Sequence, residues 1–115
     1  MLRNKYRNVK TYVGDEVLDS RKEARRYNAL LLLQRGRVIR DLERQKPFML
    51  QEGFVNNQKE KVRPIYYNAD FVYYDNERKS WVVEDVKSPA TRTQVYKIKK
   101  KLFEYKYPEY IFLET

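Results

Sequence analysis

Asp70 and the tripeptide Asp85-Val86-Lys87 are the residues of this chain best suited to chemistry. They fall on two neighbouring strand-like segments, residues 66–74 and 81–87. Strand side chains alternate between faces, so Asp85 and Lys87 project to the same side. Upstream, Glu23 lies in a helical stretch. Carboxylates hold a hard cation through oxygen, and a lysine beside them can face an attacked phosphate. Acid, strand, turn, strand and lysine is the order a magnesium-dependent phosphodiesterase needs, and the chain reads as a small nuclease.

A (D/E)-x-K string says little by itself where 36% of residues are charged. Glu104-Tyr105-Lys106 fits it too, but ends a helical segment, where i and i+2 do not share a face. Asp85 differs because Trp81-Val82-Val83 precede it. An acid and a lysine in an apolar run are costly unless they pair or bind something. A cross-strand Asp70–Lys87 ion pair is the alternative that uses these residues without chemistry. Glu23 has its own alternative, because it stands three positions after Ser20, as the acid of a capping box does. Glu84 points to the opposite sheet face from Asp85 and stays outside the site.

These residues must be positioned by the elements around them. Thr11-Tyr12-Val13 and Glu16-Val17-Leu18 flank Gly14-Asp15, which predicts a tight hairpin. Ser20 then caps a helix over 21–34, ended by Gly36. Its inward stripe is Ala24, Tyr27, Leu30 and Leu31, with Arg21, Lys22, Arg25 and Arg26 mostly on the other side. Glu23 sits at the stripe's edge. Residues 38–42 are a short connection, 47–51 a first core strand, and 53–60 a polar excursion. Over 62–74 Tyr67, Ala69, Phe71 and Tyr73 share one face, and Asn68, Asp70 and Val72 the other. Asp75-Asn76-Glu77-Arg78 turns the chain into a strand over 80–87, which Ser88-Pro89-Ala90 breaks. A second helix over 93–105 has Val95, Ile98, Leu102 and Tyr105 as its apolar seam, and 110–113 is a last strand. The expectation is one α/β domain over residues 1–115: an N-terminal segment and hairpin over 1–19, then an α-β-β-β-α-β core with a mixed central sheet over 20–115.

Composition narrows the chemistry. The chain has no cysteine and no histidine, which excludes disulfides, thiol nucleophiles, Cys/His zinc sites, Ser-His-Asp triads and histidine general bases. Any metal must be held by carboxylates, carbonyls and water, which favours Mg²⁺, with Mn²⁺ as a substitute. A formal charge of +9 suits a polyanion, and eleven tyrosines with one tryptophan supply flat side chains for a groove. The longest apolar run spans only residues 29–33, so no membrane partner is expected. Met1-Leu2-Arg3-Asn4-Lys5 lacks an apolar signal core, and a cytoplasmic location is expected.

The order Glu23, Asp70, Asp85-Val86-Lys87 resembles the PD-(D/E)XK nuclease superfamily. The fuller text resembles a branch of small bacteriophage nucleases that are Holliday-junction-resolvase-like. It is carried by Asp19-Ser20-Arg21-Lys22-Glu23-Ala24-Arg25-Arg26-Tyr27, Gly36, Asp41-Leu42-Glu43-Arg44-Gln45, Tyr67-Asn68-Ala69-Asp70-Phe71 and Val83-Glu84-Asp85-Val86-Lys87. Ala69 stands where the superfamily's proline would, and Asp85 replaces the usual glutamate.

The resemblance implies a restriction-endonuclease-like fold and a metal-dependent endodeoxyribonuclease acting on branched or duplex DNA. Asp70, Asp85 and the Val86 carbonyl would hold Mg²⁺, with Glu23 reaching it directly or through water. Lys87 would position the attacking water and stabilise charge at the phosphate. Lys97, Lys99, Lys100 and Lys101, with Gln94 and Tyr96, would contact DNA. Symmetric cutting of a junction would require a homodimer. The competing expectation is a nuclease-fold DNA-binding module or protein-interaction factor without catalysis.

Overall fold

A computed structural model describes residues 10–115. Helix α1 (Lys10–Arg35) leads into the long strand β1 (Ile39–Gln51). A small hairpin follows, β2 (Phe54–Val55) and β3 (Lys61–Val62), and then β4 (Ile65–Asp75) and β5 (Ser80–Asp85). A 3-10 turn at Pro89–Thr91 precedes α2 (Gln94–Lys106) and β6 (Tyr110–Glu114). The main sheet has the order β1-β4-β5-β6. β1, β4 and β5 are antiparallel neighbours, and β6 runs parallel to β5 because α2 supplies the crossover between them. The chain is therefore α/β, with two helices and a mixed sheet of four strands.

The expected hairpin over 11–18 is not formed, because these residues are the first turns of α1. Val13 and Val17 are four apart, which fits a helix as well as a hairpin, and one glycine costs a helix only about 1 kcal/mol. Residues 1–9 of the expected N-terminal segment lie outside the described residues. The correction moves Ser20 from an N-cap to a helix interior and removes the capping box that would have explained Glu23. At its other end α1 stops as expected around Gly36. Val38 N–H donates to the Leu33 carbonyl at 2.9 Å and Arg37 N–H to that of Gln34 at 3.0 Å. Arg37, not the glycine, takes the left-handed conformation (φ 63°) of this closing motif.

The sheet-facing side of α1 also differs from the expected stripe. Ala24 is exposed, while Lys22 and Arg26 turn toward the sheet beside Tyr27 and Leu30. These two cations have partners at the end of β5 that only the folded chain presents. The 38–42 connection is the beginning of β1, paired with β4 from Ile39↔Asp75 onward. An extra residue enters β1 between Arg40 and Glu43, where Asp41 takes φ 58°.

Two core clusters lie on the sheet's two faces. Leu30, Ile39, Phe71, Tyr73 and Val82 pack on the α1 side, and Phe48, Tyr67, Ala69, Val83 and Phe103 on the α2 side. The expected single face of β4 is thus divided, with Tyr67 and Ala69 on one side and Phe71 and Tyr73 on the other. The alternation slips at Asp70. The β1–β4 pairing runs through Arg44↔Phe71 and Lys46↔Ala69 but passes over Gln45 and Asp70, and Gln45 has φ 51°.

Helix α2 starts where expected, with Thr93 Oγ1 accepting from Tyr96 N–H at 3.1 Å. Its buried residues are Tyr96 and Phe103, so the expected aliphatic seam does not face the core. The aromatics take that place: Phe103 meets Phe48, Tyr67, Tyr110 and Phe112 with ring centroids 5.0–5.8 Å apart. An aromatic cluster buries more area per residue than the aliphatic seam could, and it sets the helix's rotation.

Candidate active site

Strands β4 and β5 pair as far as Phe71↔Glu84 and then part. The amide that would have continued the ladder, Val86 N–H, donates instead to Asp70 Oδ2 at 2.7 Å. Beyond this splay an open cleft of about 300 Å³ is lined by Asp70, Asp85, Lys87, Asn68, Tyr96 and Lys99, among others. The acid pair and lysine singled out by spacing thus meet at one place.

Asp85 is 2% exposed. Tyr67 donates its hydroxyl proton to Asp85 Oδ1 at 2.8 Å. Lys87 Nζ lies 2.9 Å from Oδ2, off hydrogen-bond geometry, and among the described residues Oδ2 has no hydrogen-bond partner. The same ammonium sits 4.2 Å from the centre of the Tyr96 ring. The lysine's ion-pair partner is therefore Asp85, and the Asp70–Lys87 bridge is not formed. The burial of Tyr67 and its contact with Asp85 push the phenol's pKa upward, so the hydroxyl stays a donor.

Asp70 is half-buried, and burial raises its pKa from 3.8 to about 6. Its bond from Val86 N–H opposes that rise, the charges of Asp85 and Glu23 add to it, and Lys87 opposes it. A carboxylate in this position is improved by an added cation. Glu23 reaches the site through a residue the sequence reading gave no role. Gln45 Nε2 donates to Glu23 Oε2 at 3.0 Å and approaches Asp70 Oδ1 at 3.4 Å. Its one signal in the sequence is its place at the end of Asp41-Leu42-Glu43-Arg44-Gln45, and the left-handed backbone it takes in mid-strand is not legible there. Lys22, on α1, donates to the Lys87 carbonyl at 2.7 Å and ties the helix to the same end of the sheet.

Glu84 does point away from the cleft, as expected. It is fully buried, held by Arg26 at 2.5 and 3.0 Å, by the Tyr73 hydroxyl at 2.6 Å and by Thr115 Oγ1 at 3.1 Å. The bond to Glu84 holds the Arg26 pKa above its ordinary value. This network fixes β5 against α1 one residue before Asp85.

The residues expected to contact DNA are divided. Lys99 and Tyr96 line the cleft. Lys97, Lys100 and Lys101 gather around a second depression of about 260 Å³ beyond Tyr96, with Arg92, Glu104 and Glu114. Lys100 is paired with Glu104 at 3.7 Å and lies over the Phe112 ring, turned from the cleft. Gln94 is exposed in the first turn of α2.

Among the described residues no three acidic side chains form a metal-holding group. The donors still fit Mg²⁺, which keeps several waters and is held by one or two carboxylates plus substrate phosphates rather than by a protein cage. Asp70 and Asp85 supply hard oxygens on one wall, and Asp85 Oδ2 is the buried atom left with spare capacity. Among the described residues, no helix is long and apolar enough to cross a membrane.

No curated protein and no solved structure matches the chain. The chain's kinship rests instead on the profile of one family, described as "Protein of unknown function (DUF1064)", which matches residues 3–113 and so takes in both helices and every strand that builds the cleft; the chain belongs to that family.

Proposed function

We propose that this protein is a Mg²⁺-dependent endonuclease of the PD-(D/E)XK type that hydrolyses DNA phosphodiester bonds and selects branched or junction DNA. The observation that carries the reading is the convergence of Asp70, Asp85 and Lys87 on one open cleft beside Lys99. Asp70 and Asp85 would hold the cation, with the Val86 carbonyl as the third ligand that the resemblance implies. Mn²⁺ would substitute. When bound, the ion polarises the phosphoryl oxygens and lowers the pKa of a coordinated water.

The chain's own residues do the rest. Tyr67 fixes one Asp85 oxygen, and the other lies beside Lys87 Nζ with no hydrogen-bond partner among the described residues. Lys87, held by Asp85 and the Tyr96 ring, places a positive charge where the phosphate gains negative charge. Gln45 holds Glu23 toward Asp70, and Glu23 would contribute to holding the ion directly or through water. Lys99 at the rim takes a neighbouring backbone phosphate.

A second reading has one observation in its favour: Lys87 already neutralises Asp85 within the folded chain. A DNA-binding module or protein-interaction factor that had kept this pair for stability would show the same contact. Cleavage of a labelled four-way junction and of matched linear duplex separates the two. Cutting with Mg²⁺ that stops in EDTA and in Asp85→Asn is the expected result, with the junction preferred. Tight binding with no metal-dependent cutting of either substrate would establish the binding module instead.

A further inference from the structure

Helix α2 turns an apolar line to solvent. Val95, Ile98, Leu102 and Tyr105 are 62, 57, 40 and 88% exposed. Their spacing of three, four and three residues sets them in one row, and the core-facing Tyr96 and Phe103 lie on the opposite side of the helix. On the same wheel Lys97 and Lys101 border one margin of the row, and Lys99 and Lys106 the other. Among the described residues none of these four lysines forms an ion pair; the pair made by α2 is Lys100–Glu104. A surface helix ordinarily presents its charged side to water and its apolar side to the core. Here the solvent side is apolar at its centre and cationic along both edges, which the fold itself does not use.

We propose that this face docks an acidic amphipathic helix of a protein partner. A straight row of anchors at i, i+3, i+7 and i+10 is the spacing that a second helix can cover. The row spans most of a 13-residue helix, about 20 Å long. Carboxylates flanking the partner's apolar side would meet a lysine margin on each side of the row. A second copy of this chain is disfavoured, because α2 against α2 would bring lysine margins together. Val95 also lines the cleft that holds Asp70, Asp85 and Lys87, so the docked helix stands at the cleft's edge. The docking requires no metal ion and no catalysis, and it stands or falls separately from the nuclease reading.

The test uses a labelled synthetic peptide of about 18 residues, roughly five helical turns. Leucine occupies its i, i+3, i+4 and i+7 positions and glutamate most of the others. Binding to the intact protein is read by fluorescence anisotropy in EDTA. The triple variant Ile98→Ser, Leu102→Ser, Tyr105→Ser should bind at least tenfold more weakly, about 1.4 kcal/mol. Its thermal midpoint should not fall, since all three side chains are exposed. A scrambled peptide of the same composition should also bind at least tenfold more weakly. Equal binding of the scrambled peptide, equal binding by the triple variant, or no binding at all would overturn the proposal. So would a dimer in sedimentation, or co-flotation with phosphatidylglycerol vesicles, that the triple variant loses while the peptide fails to bind.

Discussion

At the scale of single residues, Asp70 is the group whose environment matters most. Its folded pKa is raised to about 6. A carboxyl whose folded pKa exceeds its unfolded value favours the folded state when protonated, so ionised Asp70 lowers stability above about pH 6 and the penalty fades as pH falls toward 4. Asp70→Asn keeps an oxygen for Val86 N–H and removes the charge. In EDTA this variant should melt above the unmodified protein at pH 8, with the difference shrinking by pH 5. Adding Mg²⁺ at pH 8 should raise the melting temperature of the unmodified protein and leave that of Asp70→Asn in place. Calorimetry across the two pH values checks both statements, and an unchanged melting temperature on adding Mg²⁺ would remove Asp70 from the metal site.

Gln45 offers a test with opposite signs for folding and function. Its left-handed backbone is strained for any residue but glycine, while its amide joins Glu23 to Asp70. Gln45→Gly should therefore stay within about 1 kcal/mol of the unmodified protein in urea unfolding. Cleavage at limiting Mg²⁺ should drop about tenfold or more, as expected when a group that orients a metal's surroundings is lost. A large fall in stability with unchanged Mg²⁺ dependence would make Gln45 a structural residue only.

At the scale of elements, α1 is where local sequence misleads. Ser20 with Glu23 has the spacing of a helix start, yet the helix is already three turns old at that point. Ser20→Ala distinguishes the two. Loss of an N-cap would cost about 1 kcal/mol. At an exposed interior position the alanine should instead stabilise by about 0.5 kcal/mol, because serine is the poorer helix former. Helix α2 misleads in another way, since its aliphatic row and its aromatic pair are both helically spaced. Periodicity shows that one side is apolar but not which of two such sides is buried.

At the scale of the whole molecule, the charge of +9 is spread unevenly. Lys99 faces the cleft, whereas Lys97 and Lys101 surround a depression on the far side of Tyr96. If Lys99 contacts a backbone phosphate, Lys99→Ala should weaken DNA binding across sequences in EDTA and lower the slope of log K against log salt by about 0.9. A slope that does not change would place the DNA elsewhere. Symmetric cutting of a junction would need two such clefts, and hence two copies of the chain, each contributing one site.

Local pattern and composition alone were enough to single out Asp70, Asp85 and Lys87 and the strands that carry them. Asp70 and Lys87 had to share a neighbourhood because a tight turn at Asp75–Arg78 folds two apolar runs together, and strand alternation is a local, period-two property. The absence of histidine and cysteine likewise restricted any metal to oxygen donors before any fold was known. Packing between elements settled whatever depends on competition between distant surfaces. The bridge from Glu23 through Gln45, the burial of Glu84 beside Arg26 and the rotation of α2 each join residues far apart in sequence, and Lys87 pairs with its near neighbour Asp85 while Asp70 is engaged by Val86 N–H across the splayed strands. Local propensity is silent about such contacts, because their energy comes from burial and charge pairing that exist only once helices and sheet have met.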